Sequence, residues 1–166
     1  QVQKFALQRS DSIITDSESS KKDIIKYTGI SSGRIYIVYL APSEDFKQIK
    51  DTLIVDRIRL KYKLPEKFVL YVGDVTWNKN LPRLLSAIKK INLTLVMVGK
   101  ALVEENFDKG NPWNQDLLSV QRLAKDDKRI IRLGFVPTED LVLIYNLATV
   151  FAMPSIYEGF GLPILE

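Results

Sequence analysis

The chain has 166 residues, 46% of them hydrophobic, a formal net charge of +4, and neither cysteine nor histidine. Disulfides, thiolate zinc sites and imidazole bases or ligands are thereby excluded, and the apolar content suits one sizeable buried core. No apolar run reaches the ~18 residues that cross a bilayer, and the opening Gln1-Val2-Gln3-Lys4 is no secretion signal, so a cytoplasmic protein is expected.

In chain order, Ser12 to Thr15 predicts a short strand and Ser17 to Ser20 a polar helix start. Lys21 to Tyr27 continues as a helix closed by Gly29, and Ile35 to Leu40 reads as a second strand punctuated by Pro42 and Ser43. The stretch Lys47 to Lys67 is the most basic, and reads as a solvated helix face, with a lipid or nucleic-acid patch as its second reading and peripheral membrane contact as its consequence. Elsewhere the basic residues are dispersed, and no nucleic-acid surface is expected.

From there, units of strand, loop and helix repeat. Phe68 to Val72 and Leu93 to Val98 are continuous apolar runs ended by Gly73 and Gly99, the pattern of buried parallel strands. Between them Leu81, Leu84, Leu85 and Ile88 recur at helical spacing. Gln115 to Ala124 predicts a helix, Ile130 to Leu133 a third strand, Leu141 to Leu147 a helix and Val150 to Met153 a fourth strand, with Met97 and Met153 in the core. The class is α/β, an open doubly wound parallel sheet, whose ligands lie outside the carboxyl ends of the strands. Gly73 onwards, Gly99-Lys100, Gly134-Phe135 and Pro154 to Gly161 follow those ends. Asp126-Asp127 lies between lysines in a turn and is not read as a metal motif.

The tail holds Glu158 and Glu166 on either side of Gly159-Phe160-Gly161, before an apolar run from Leu162 that reads as a helix start with Pro163 in its first turn. Backbone N–H groups at such a turn and helix start attract anionic or hydroxyl-rich ligands.

These residues carry a resemblance. Arg129 to Pro137, Leu141 to Ala148 and Phe151 to Glu166 are similar to the donor-binding half of GT-B retaining glycosyltransferases of the family 4 type, whose signature of Glu, seven residues, Glu is matched by Glu158 and Glu166. Tyr71 to Leu81 resembles that family's first donor-domain strand and phosphate-clamping loop, and Arg9 to Phe46 the segment closing its N-terminal domain. The resemblance implies residues 1–45 as the end of the N-terminal domain with the crossover, and 46–166 as a partial donor domain, Rossmann-like and truncated at its C-terminal end. It implies a nucleoside diphosphate sugar as donor, with the acceptor held by a missing N-terminal domain, and neither cofactor nor metal. Lys79 would neutralise the departing diphosphate, Glu158 orient the transferred sugar, and Glu166 accept from both ribose hydroxyls. Gly159, Phe160, Gly161 and Leu162 would present amides to the sugar, and Gly73 would open the diphosphate loop. Gly134, Phe135 and Val136, with Lys100 nearby, would face the base.

Phe135 is equally readable as core, Trp77 as a ligand cover or a loop cover, and Lys79 as an ordinary surface lysine. The family usually carries Arg directly after the glycine, where this chain has Asp74, so one cation of the expected clamp is absent and Arg83 is its candidate substitute. The Trp77-Asn78-Lys79-Asn80 wording is similar to mannosyltransferase-like members, which favours GDP-mannose over a UDP-sugar, while the isolated fragment is expected to be inactive. The alternatives are a non-catalytic nucleotide-sugar-binding or interaction module, a GT-B sugar-nucleotide epimerase, and a flavodoxin-like signalling domain, for which Asp74 alone is too little acidic chemistry.

Overall fold

The structure, a computed structural model, describes residues 2–166. It divides into two compact units, one of residues up to Pro42 together with Glu158–Leu165, the other of Ser43–Tyr157 together with Glu166. The division thus falls between Pro42 and Ser43 rather than between 45 and 46, and Glu158–Leu165, expected in the second part, groups with the first. The physical reason is that Gly159 and Phe160 bond and pack within that unit: the Ser17 hydroxyl donates to the Gly159 carbonyl, and the Phe160 ring lies 6.2 Å from that of Tyr39.

In the first unit, α1 (Val2–Arg9), β1 (Ile13–Thr15), α2 (Glu18–Thr28) and β2 (Ile35–Ile37) follow one another, and β1 pairs with β2 in parallel. Ile13 and Ile35 face each other in the register and are buried with Ile30 against Leu7, Ile24 and Ile25. Ser17 caps α2 by accepting from the Ser20 N–H, and Gly29 closes it at φ 75°, a left-handed conformation that a side chain would strain. Strand β2 ends at Ile37 rather than Leu40 because β1 offers no partner past Thr15, whose carbonyl accepts the last bond from Val38.

The second unit begins with α3 (Thr52–Lys61), capped by the Asp51 carboxylate, which accepts from Leu53 and Ile54. There follow β3 (Phe68–Val72), α4 (Leu81–Ile88), β4 (Thr94–Val98), α5 (Gln115–Ala124), β5 (Ile130–Leu133), α6 (Thr138–Leu147) and β6 (Val150–Phe151). The four strands form one sheet in the order β5-β4-β3-β6, every pairing parallel. Alternation along the strands divides the core into two layers. Val69, Tyr71, Leu95 and Met97 pack with Leu81, Leu85 and Val120 of α4 and α5, while Phe68, Leu70, Val96 and Val98 pack with Ile58 of α3 and Ile144 and Leu147 of α6. Each such side chain, fully buried, stabilises the fold by about 1.5–3 kcal/mol before entropy is counted. This is an open, doubly wound parallel α/β sheet with helices on both faces.

Several ends differ from the sequence expectation. Strand β6 is two residues long and Met153 is half-buried rather than core, since β6 pairs only through Val69↔Val150 and Leu70↔Phe151. Helix α6 starts three residues earlier, with Glu139 and Asp140 in its first turn, where carboxylates suit the helix dipole. Asp140 is buried and joins two helices, accepting from Lys61 Nζ and, at 2.6 Å, from the Tyr62 hydroxyl. The run from Leu162 makes a single 3₁₀ turn, Leu162–Ile164, rather than an α-helix.

Candidate active site

Because all four strands of the second unit are parallel, their carboxyl ends share one edge. Gly73, Gly99 and Gly134 stand there side by side. The Gly73 N–H donates to the Val98 carbonyl at 2.9 Å, and the Gly99 N–H is shared between the carbonyls of Leu133 (3.2 Å) and Gly134 (3.3 Å). A β carbon at Gly99 would lie 2.1 Å from the Gly73 carbonyl oxygen, and one at Gly134 would lie 2.8 Å from a Val103 methyl. Gly73 has φ 151° with Tyr71 Oη where its β carbon would go. Protein atoms occupy each place a β carbon would take, so glycine at these three positions lets the backbone of the edge pack closely.

The strand order reverses between β3 and β6: the chain proceeds outward from β3 to β4 and β5, then returns to the far side of β3. Crevices form at such switch points. The loop carrying Lys79 leaves β3 there, and three hydrogen bonds fasten it to the segment leaving β6: Ile156 N–H to the Asn78 carbonyl (2.9 Å), Asn78 Nδ2 to the Tyr157 carbonyl (3.2 Å) and Asn80 Nδ2 to the Pro154 carbonyl (3.0 Å). Lys79 closes a 3₁₀ turn, Trp77–Lys79, and Asn80 follows at φ 55°, a left-handed position that asparagine tolerates, immediately before α4. On the segment leaving β6 the Ser155 hydroxyl is buried and makes no hydrogen bond among the described residues.

Asp74 is exposed and turned to local use, its Oδ1 accepting from the Val75 N–H at 3.0 Å while its carbonyl accepts from the Tyr71 hydroxyl at 2.7 Å. Lys100 is exposed at the head of the 3₁₀ turn after β4. After β5, Val136 is buried, whereas Phe135 is 79% exposed, so the core reading of Phe135 is ruled out. Trp77 is 55% exposed. Glu166 belongs to this unit through Tyr145, whose hydroxyl donates to its Oε2 at 2.8 Å. Burial first, and then the bond to Glu166, raise the Tyr145 phenol far above the ordinary tyrosine range, so it stays a donor at all physiological pH. One Glu166 oxygen is thus positioned by a neutral donor.

Glu158 and Leu162, both half-buried, lie in the first unit with Gly159, Phe160 and Gly161. Gly161 has φ 85° before the 3₁₀ turn, and Gly159 is held by the Ser17 hydroxyl at the N-terminus of α2.

A family model described as "Glycosyl transferases group 1" matches residues 55–166. The chain belongs to that family. Among curated relatives, the serotype-specific mannosyltransferase WbdA of Escherichia coli is 31% identical over 164 residues, covering 96% of this chain and 20% of its own. The O-antigen chain mannosyltransferase B of Escherichia coli is 34% identical over 157 residues, covering 93% and 40%. The chain therefore spans two-fifths or less of these relatives. Its fold matches sucrose-phosphate synthase of Thermosynechococcus elongatus with TM-score 0.71 at 24% identity, over 98% of this chain and 39% of that one. It also matches Anabaena HepE, solved with UDP and glucose, with TM-score 0.69 at 17% identity, over 90% and 39%.

Sequence reasoning missed Asn78, Asn80, Tyr145 and Ser155. Asn80 carried a usable signal, a polar residue tolerant of positive φ ahead of a Pro-containing helix start. Among the described residues no helix is long and apolar enough to cross a membrane. Asp127, set aside as a metal ligand, is held by Arg129 at 2.9 Å.

Proposed function

We propose that this chain is the donor-binding portion of a retaining glycosyltransferase that moves a sugar, by preference mannose from GDP-mannose, onto a hydroxyl acceptor. The observation that carries it is the lysine loop fastened at the strand-order reversal beside the glycine-lined carboxyl edge of the sheet. That arrangement suits a ligand with a diphosphate at one end: backbone N–H groups and Lys79 meet the developing negative charge as the bond to the sugar breaks. Retention requires departure and attack on one face of the sugar, and no protein nucleophile is assigned. Lys79 supplies the countercharge, and no step is assigned to a metal ion. Glu166, oriented by Tyr145, takes the ribose hydroxyls, and Glu158 takes the sugar role that the family resemblance gives it. The two mannosyltransferase relatives favour mannose as the sugar, and the UDP bound to HepE favours a nucleotide ligand. Because the chain spans two-fifths or less of the relatives, most of the acceptor site is assigned to the rest of a longer polypeptide, and the 166 residues alone are expected to bind donor without turnover.

Calorimetric titration with GDP-mannose, UDP-glucose, UDP-N-acetylglucosamine and ADP-glucose tests this. GDP-mannose is expected to bind most tightly and more weakly as salt rises, and Lys79→Ala to weaken every diphosphate ligand roughly tenfold or more while leaving guanosine unchanged. Failure of all four donors to bind, or indifference to Lys79→Ala, refutes the proposal.

A further inference from the structure

Tyr145 can orient Glu166 only if its own ring is fixed, because the hydroxyl sits at the tip of the side chain and swings furthest when the ring turns. Two rings hold it. Phe151 of β6 lies at 5.5 Å, tilted by 41°, and Phe46 meets it edge to face at 5.6 Å and 83°, arrangements that ring quadrupoles favour. Phe151 is kept in place by pairing with Leu70 of β3. Phe46 belongs to neither a helix nor a strand, so no ladder of backbone bonds fixes it. Its anchor is the residue next to Tyr145. Asn146 Oδ1 accepts from the Ile49 N–H at 2.8 Å, and Nδ2 donates to the Lys47 carbonyl at 3.0 Å and to the Val142 carbonyl at 2.8 Å, so one amide ties the segment just after Phe46 to α6. Consecutive residues of α6 thus supply the ring on which Phe46 packs and the amide that keeps Phe46 there.

This clasp ends on the tyrosine whose hydroxyl donates to Glu166 Oε2 at 2.8 Å. A carboxylate has two acceptor oxygens and a ribose diol presents two hydroxyls at fixed spacing, so their match depends on how the carboxylate is rotated. We propose that Phe46 and Asn146 are positioning residues for the nucleotide ribose: Asn146 clamps the segment, Phe46 fixes the Tyr145 ring, and Tyr145 sets the rotation of Glu166 at which both ribose hydroxyls donate to it. The proposal rests on the donor reading above, in which Glu166 takes those hydroxyls. Discrimination for a ribose diol is then set partly by side chains that do not touch the nucleotide.

The test compares GDP with 2′,3′-dideoxy-GDP, which lacks both hydroxyls, by calorimetric titration of the 166-residue chain. Wild type is expected to bind GDP roughly tenfold or more tighter than the dideoxy nucleotide. Phe46→Leu, which removes the ring but keeps apolar bulk, should cut that ratio to about threefold by weakening GDP alone, and Phe46→Tyr, which keeps the ring, should restore it. Asn146→Asp keeps an acceptor for Ile49 but loses the donor to Lys47, and should lower the ratio about twofold. Lys79→Ala is the contrast, weakening both nucleotides by the same factor. A wild-type ratio in both Phe46→Leu and Asn146→Asp overturns the proposal, as does equal loss of the two nucleotides in these variants, which is what general loosening of the fold would produce. A wild type that binds neither nucleotide defeats the donor reading itself. One that binds both equally removes Glu166 from the ribose, and this proposal with it, while leaving the Lys79 site standing.

Discussion

Replacing Gly99 with alanine strikes the row of glycines directly. The new β carbon would sit 2.1 Å from the Gly73 carbonyl oxygen and 3.3 Å from Leu102 Cδ1. Leu102 can rotate away, but the Gly73 peptide is held by its 2.9 Å bond to Val98, and the Gly99 amide is tied to Leu133 and Gly134. Relief therefore means separating two core strands by about 1 Å, at an overpacking cost of about 1–3 kcal/mol, and weakening at least one buried hydrogen bond, about 1 kcal/mol more. A loss of about 2–4 kcal/mol corresponds to a fall in Tm of roughly 4–16 °C for a chain of this size. Urea denaturation followed by circular dichroism measures it. Gly29→Ala is the control, since nothing lies within 4 Å of its β carbon and only the strain of φ 75° is added, a cost of about 1–2 kcal/mol. If Gly99→Ala loses no more stability than Gly29→Ala, the close-packed edge inferred from the geometry is wrong.

Three other outcomes are expected. Asn80→Gly keeps the positive φ accessible but removes the bond to Pro154, so donor affinity measured by calorimetry should drop about threefold to tenfold while urea stability changes by about 1 kcal/mol or less. Tyr145→Phe strips the donor from Glu166 and should raise the donor Kd by roughly threefold to tenfold, with the melting temperature nearly unchanged; no change in Kd would remove Tyr145 from the site. Lys61→Met should destabilise the chain at neutral pH, and the deficit should shrink in acid. Burial raises the Asp140 carboxyl, but the hydrogen bonds from Lys61 and Tyr62 outweigh it and hold the group below its ordinary 3.8. Its contribution is therefore present above that value and lost as pH falls through the lowered one. For Lys61 the bond to Asp140 raises the ammonium above 10.5, so its contribution is lost only as pH rises through the raised value. A deficit as large at pH 2 as at pH 7 in urea titrations contradicts this account.

The sheet was legible because β3 and β4 are apolar on both faces, and Phe68, Leu70, Leu95 and Met97 have no other place to go than between two helix layers. Strand ends were less legible, because pairing length depends on the neighbour: β2 stops where β1 runs out, and β6 meets only two residues of β3. The glycines and Lys79 were visible through the pattern of strand followed by loop. Asn78, Asn80 and Tyr145 were not, since their partners lie 79, 74 and 21 positions away and leave no local period.

The brevity of β6 bears on how the lysine loop keeps its order. Two residue pairs hold β6 to β3, and the segment just beyond it holds Asn78 and Asn80. Opening of this outermost strand therefore releases the loop as well, so the amides of Ile156, Lys79 and Asn80 should exchange with solvent as one cooperative group. By linkage, any ligand gripping Lys79 must slow exchange at β6 too, even though it touches neither Val150 nor Phe151. The least secure strand of the sheet thereby becomes the reporter of occupancy.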